Sequence, residues 1–116
     1  MPEQKKEINI TVELDEEKIP GNIVWNATDD SESGGDEGET DCRAMILSLW
    51  DHQRKDTLRL DLWTREMTVD EMKIFFHQTL VTMADTLDRS IGDERISGDM
   101  RDFCDHFAEK MEIRKD

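Results

Sequence analysis

Apolar and polar positions alternate almost from the start of the chain. Ile8, Ile10, Val12 and Leu14 are separated by Asn9, Thr11 and Glu13. A period of two is the pattern of a strand with one dry and one wet face. Ile19-Pro20-Gly21 follows, a Pro-Gly turn signal. Ile23, Trp25 and Ala27 then resume the alternation, so the spacing predicts a first hairpin. A second is predicted where AMILSLW (44–50) and TLRLDLWT (57–64) flank the six-residue loop DHQRKD. Setting Leu49 opposite Leu58 brings Leu47 to Leu60 and Met45 to Leu62, six apolar side chains on one face. Ile46, Trp50 and Trp63 are left on the other. A slip of one residue would bury Arg59 and Asp61 instead, so the pattern selects a single register.

The period then changes to that of a helix. Thr68-Val-Asp-Glu71 reads as a capping box, in which hydroxyl and carboxylate each satisfy the other residue's backbone N–H. Behind it Val69, Met72, Phe76, Leu80, Met83 and Leu87 recur at spacings of three and four. Gly92 is placed to end this helix. After a short charged link, Ser97 is placed to cap a second helix with Met100, Phe103, Cys104, Phe107, Ala108 and Met111 on its apolar face. Strands first and helices last predict an α+β fold: a four-stranded antiparallel sheet of two hairpins, with two C-terminal helices packed on one sheet face.

At 116 residues the chain is predicted to be a single domain, residues 1–116, opening with an N-terminal arm at 1–7. Its net charge is −14, and the excess is concentrated. From Glu13 to Asp41 there are eleven acidic residues and one lysine, a net −10. Within this stretch residues 29–41, DDSESGGDEGETD, contain no apolar side chain, so an acidic mobile loop is expected. Such a field repels phosphate, which argues against a nucleic-acid partner. No run approaches the roughly 20 apolar residues of a membrane span. No apolar leader follows Met1, so a cytoplasmic protein is expected, associated at most with the inner face of the membrane.

The residues that carry chemistry are sparse. His52, His77 and His106 fall in three different elements, and no HxxxH or CxxC spacing supports a metal site. Cys42 and Cys104 lie in different elements of a chain expected in a reducing compartment, and a core role suits Cys104 better than a disulfide. Asp30, Glu32, Gly35 and Asp41 fall at the first, third, sixth and twelfth positions of an EF-hand frame. Gly34 at the fifth position and Asp in place of Glu at the twelfth break that frame. Gly34-Gly35 and Gly38 sit among carboxylates that would repel a nucleotide phosphate. No GxSxG and no Cys-His or Ser-His pairing is present. Neither catalytic residues, nor a metal, nor a cofactor is expected. The informative feature is the outer sheet face of Ile46, Trp50 and Trp63, since exposed tryptophans on a sheet mark a protein contact.

Four segments carry a resemblance to a known family: TVELDEEKIPGNIVWNATD (11–29), WDHQRKDTLRLDLWTREM (50–67), TVDEMKIFFHQTLVTMADTLDR (68–89) and MRDFCDHFAEKMEI (100–113). They are similar to GldC, a small gliding-motility protein of gliding bacteria. The resemblance implies an accessory of the gliding apparatus that works beside an envelope lipoprotein, with no catalytic residues assigned. The acidic loop is more acidic than the family pattern. The expectation is a non-enzymatic protein-interaction module of the gliding or secretion machinery, contacting its partner or another copy through Ile46, Trp50 and Trp63. The alternative is a holdase chaperone, because the order of elements resembles that of the export chaperone SecB. A divalent-ion sensor built on residues 29–41 is a third reading.

Overall fold

The computed structural model describes residues 5–29 and 40–113. Most of the acidic segment lies outside them, including Asp30, Glu32, Gly34, Gly35 and Gly38 of the calcium and phosphate readings. The chain divides into two compact units, Met1–Met67 and Thr68–Asp116. Among the described residues, the regular elements of the first are all strands and those of the second all helices.

In the β unit, β1 (Lys6–Leu14) pairs antiparallel with β2 (Pro20–Asp29), and β3 (Thr40–Cys42) adds a short third strand to β2. A separate two-stranded sheet is made by β4 (Ala44–Asp51) and β5 (Asp56–Trp63). The two expected hairpins are both present, with three differences. Lys6 and Glu7 belong to β1 rather than to an arm. Asp29, Thr40 and Asp41 are strand residues, which trims the acidic loop from both ends; backbone pairing needs no apolar side chain. The hairpins also lie in two sheets rather than one, because the chain bends at Arg43 between β3 and β4.

Ile8 pairs with Ala27, Ile10 with Trp25 and Val12 with Ile23, so these six apolar residues of the first hairpin share a face. Its turn is not Pro-Gly. Asp15 makes it, its Oδ1 accepting the N–H of Glu17 at 2.8 Å and of Ile19 at 3.0 Å. Lys18 turns the corner at φ 65°. Pro20 instead opens β2 opposite Leu14, where its missing N–H costs nothing, and the register shifts beside Glu13 and Leu14. The second hairpin repeats the device. Asp51 Oδ1 accepts from Gln53 N at 2.9 Å and Arg54 N at 3.1 Å, and Lys55 takes φ 53°. Burial in this unit centres on Ile23 and Thr64. The Thr64 hydroxyl is buried and finds no hydrogen-bond partner among the described residues.

In the α unit, α1 (Val69–Ile91) begins with the complete Thr68–Glu71 capping box and ends at Gly92 in the left-handed conformation, φ 76°. The helix α2 (Glu94–Lys110) starts earlier than expected. Asp93 is its N-cap, accepting from Arg95 N, so the link between helices shrinks to Gly92-Asp93. Ser97 is consequently inside the helix and fully buried. Its hydroxyl lies 3.2 Å from Asp88 Oδ1 and 3.3 Å from the Glu94 carbonyl. The helices meet through small residues: Ala84, Ser97, Cys104 and Ala108 are all buried. Arg101 bonds Asp85 at 3.0 Å, and His77 stacks on Phe107 with ring centres 6.3 Å apart. The expected stripe of α1 is only partly covered. Met72, Leu80 and Leu87 are half-buried, while Val69, Phe76 and Met83 are exposed. Small residues at Ala84 and Ser97 let α2 approach on the neighbouring side, roughly a quarter-turn round the helix from that stripe. On α2 likewise, Cys104 and Ala108 are buried but Phe103 is exposed.

The buried Thr64 hydroxyl should make Thr64→Val stabilising by about 1 kcal/mol, since an unpaired polar group is replaced by a methyl of similar size. Urea denaturation of both proteins measures this. The Asp15 carboxyl lies below its ordinary range, chiefly because it accepts the Ile19 N–H, with Glu17 N–H and Arg65 adding to the effect against its partial burial. A carboxylate lowered by folding stabilises the fold above its unfolded pKa, near 3.9, and loses that contribution as pH falls through the folded value. Asp15→Asn keeps an oxygen acceptor that does not titrate. Its urea midpoint should therefore fall less than the parent's between pH 5 and pH 2.

A candidate interaction face on the second hairpin

The strands β4 and β5 pair in the register that the leucines select. Leu49 faces Leu58, Leu47 faces Leu60 and Met45 faces Leu62. On the opposite face the rows run Ala44 with Trp63, Ile46 with Asp61, Ser48 with Arg59 and Trp50 with Thr57. Ile46, Trp50 and Trp63 thus share one face, and all three are open to solvent, at 41%, 65% and 55%. They do not form one cluster. Ile46 neighbours Trp63 in the adjacent row, whereas Trp50 stands six residues along β4 from Ala44, roughly 20 Å away at the strand rise.

Arg59 and Asp61 lie on the same face between the tryptophans. Sequence reasoning used these two residues only to reject a slipped register, yet the accepted register already places them beside Ile46 and Trp50. The face therefore presents aromatic anchors at its two ends and one charge of each sign between them. Arginine with tryptophan is the composition of interface hot spots. From Ala44 to Trp63 the hairpin has three acidic and three basic residues, a neutral segment in a chain of net charge −14. The leucine face is not closed either: Leu49, Leu58 and Leu60 are each about half exposed. A two-stranded sheet with both faces open is marginal in isolation and gains from cover.

The groups with nucleophilic or ligating chemistry remain scattered. His52 is exposed in the β4–β5 turn, His77 is half-buried against Phe107, and His106 is exposed beside Phe103. Among the described residues no cluster of histidine, cysteine or carboxylates could hold a metal ion. Both cysteines are free thiols. Burial pushes the Cys104 thiol up from its ordinary value, with Asp105 adding to it; burial, then Asp41, does the same at Cys42. A raised pKa keeps both protonated at neutral pH and leaves neither activated as a nucleophile. A cavity of about 190 Å³ beside Thr64 is bordered by Gly21, Asp41, Arg43 and Glu66. Cys42 also lines it, a thiol that burial and Asp41 keep protonated. Among the described residues no helix is long and apolar enough to cross a membrane.

No curated protein sequence and no solved structure matches the chain. A family model does match, that of the gliding motility-associated GldC-like proteins, over residues 20–113. The match takes in β2, the second hairpin with its tryptophan face, and both helices. The chain belongs to the GldC-like family of gliding motility-associated proteins.

Proposed function

We propose that the chain works as a single-domain, non-enzymatic interaction module of the gliding machinery, contacting a protein partner through Ile46, Trp50 and Trp63. The observation that carries this reading is the outer face of the second hairpin. Two tryptophans and an isoleucine lie on one side of a regular sheet, each 41% exposed or more. When covered, an aromatic side chain buries 150–250 Å² and dominates the energetics of an interface. Arg59 and Asp61 supply polar contacts between the anchors and set the orientation of what docks there. Family membership supports the choice of apparatus, and the raised thiols and separated histidines support a role without chemistry. Cytoplasmic placement, associated at most with the inner face of the membrane, is part of the same proposal.

Trp50→Ala and Trp63→Ala should leave the far-UV circular dichroism unchanged, because both side chains are more than half exposed. Each should weaken capture of the partner by at least tenfold, the loss expected of a hot-spot aromatic. The readout is crosslinking in the native host followed by affinity capture and mass spectrometry. One or two motility or envelope proteins recovered with the parent and lost with the variants support the proposal. Equal recovery with all three proteins overturns it, and a broad spread of unfolded exported clients overturns it in favour of a holdase.

A further inference from the structure

The charged residues of α1 are confined to one side of the helix and to its ends. Asp85 and Asp88 face α2, where they meet Arg101 and Ser97. The side turned away from α2 carries Phe75, Thr79, Thr82, Met83, Thr86 and Ser90, with no charge among them. A groove of about 530 Å³ runs along these residues. Met83 is 53% exposed, and Phe76 at the groove's margin is 43% exposed.

Three of the groove's polar residues, Thr79, Thr82 and Ser90, are already turned inward. Thr79 Oγ1 donates to the Phe75 carbonyl at 2.8 Å, and Thr82 Oγ1 donates to the Gln78 carbonyl at 2.9 Å. Ser90 Oγ likewise donates to the Leu87 carbonyl at 3.3 Å. With their protons spent on the helix backbone, these side chains offer methyl and methylene groups to whatever covers them. These three hydroxyls can be dried without leaving their donors unpaired, while Thr86 Oγ1 accepts from Arg89 Nη2 at 3.3 Å.

We propose that a second copy of this chain occupies the groove, with the two α1 helices antiparallel and crossing at Thr82. Three features select that occupant. Reversing the helix about a point between Thr82 and Met83 sets Phe75 opposite Ser90, Thr79 opposite Thr86 and Thr82 opposite Met83. Phe75 then meets Ser90 and Met83 meets Thr82, large against small, with threonine on threonine between them, the self-complementarity that a two-fold contact requires. The same reversal holds the acidic first turns of the two copies, Asp70 and Glu71, at opposite ends of the contact. A parallel arrangement would set acid beside acid. Finally, two chains of net charge −14 repel one another over most of their surface, so an uncharged face is where copies can meet.

The test is the mass of the full chain by light scattering across a concentration series, read for the parent and for Thr82→Glu and Thr82→Lys. The parent should rise from 13.6 kDa to twice that value. Each variant alone should remain at 13.6 kDa with unchanged helical circular dichroism, because Thr82 is exposed. Mixing the two variants should restore the doubled mass, since opposite charges then face each other across the axis. Thr82→Cys, a change too small to unfold α1, should give a disulfide-linked dimer under mild oxidation that the parent does not give. A parent that stays at 13.6 kDa at every concentration overturns the proposal. So does a doubled mass that both charged variants retain, a mixture that fails to associate, or a Thr82→Cys protein that fails to crosslink. Partner capture through Trp50 and Trp63 is read separately and is not decided by these outcomes.

Discussion

The β unit depends on one step in its backbone, at Arg43. Up to Cys42 the chain pairs with β2, Ile23 lying opposite Cys42. From Ala44 onward it pairs with β5, Trp63 lying opposite Ala44. At the step itself the Thr64 N–H donates to the Arg43 carbonyl at 2.8 Å, a backbone bond that ties the second hairpin to the end of the first sheet. Ile23 and Thr64, the most completely buried of the unit's described residues, flank this joint. Exposure grows away from it along the first hairpin, Ile8 at the far end being 65% open. What is dry in this unit is a hinge-sized core rather than a layer, and both hairpins present apolar faces.

The helical unit is built on the opposite economy. Its helices approach through alanine, serine and cysteine, so the fully buried part of the seam uses none of the large apolar side chains. Phe76, Met83 and Phe103 are therefore left for other surfaces. The polar pairs at the seam are tight and local: Ser97 with Asp88, and Arg101 with Asp85. They set the rotation of each helix about its axis and so decide which side of α1 is turned away.

Much of this was legible in the residues, for physical reasons that differ from element to element. The second hairpin could be read to the exact partner because three rows of leucine and methionine allow one register and penalise its neighbour with buried Arg59 and Asp61. The capping box and Gly92 bounded α1 because both act through local geometry. The Pro-Gly signal misled because Asp15 closes the turn earlier, two backbone N–H bonds to one carboxylate outweighing a statistical preference. Asp93 displaced Ser97 as the cap of α2 in the same way, by standing immediately after Gly92. The strand β3 left no trace in the pattern, since Thr40-Asp41-Cys42 has no period to read and pairs through its backbone alone. At the candidate interaction face, the shared side of Ile46, Trp50 and Trp63 was visible from alternation. Their separation along the strand, and the presence of Arg59 and Asp61 between them, follow only when the register is laid out row by row.

The two aspartate turns also bear on the order in which the chain assembles. Each closes on itself within five residues, from Asp15 to Ile19 and from Asp51 to Lys55, and each joins strands adjacent in sequence. The helices are joined with equal economy, by Gly92-Asp93. Pairings this local are reached early in a search, because little chain entropy is lost in closing such short loops. The first hairpin has all its residues once Asp29 has been synthesised, the second once Trp63 has, and neither waits for the helices. Only the pairing of β3 with β2 spans the acidic segment, and it places three residues. A chain made this way emerges from the ribosome as a succession of hairpins that close before their apolar faces meet anything else.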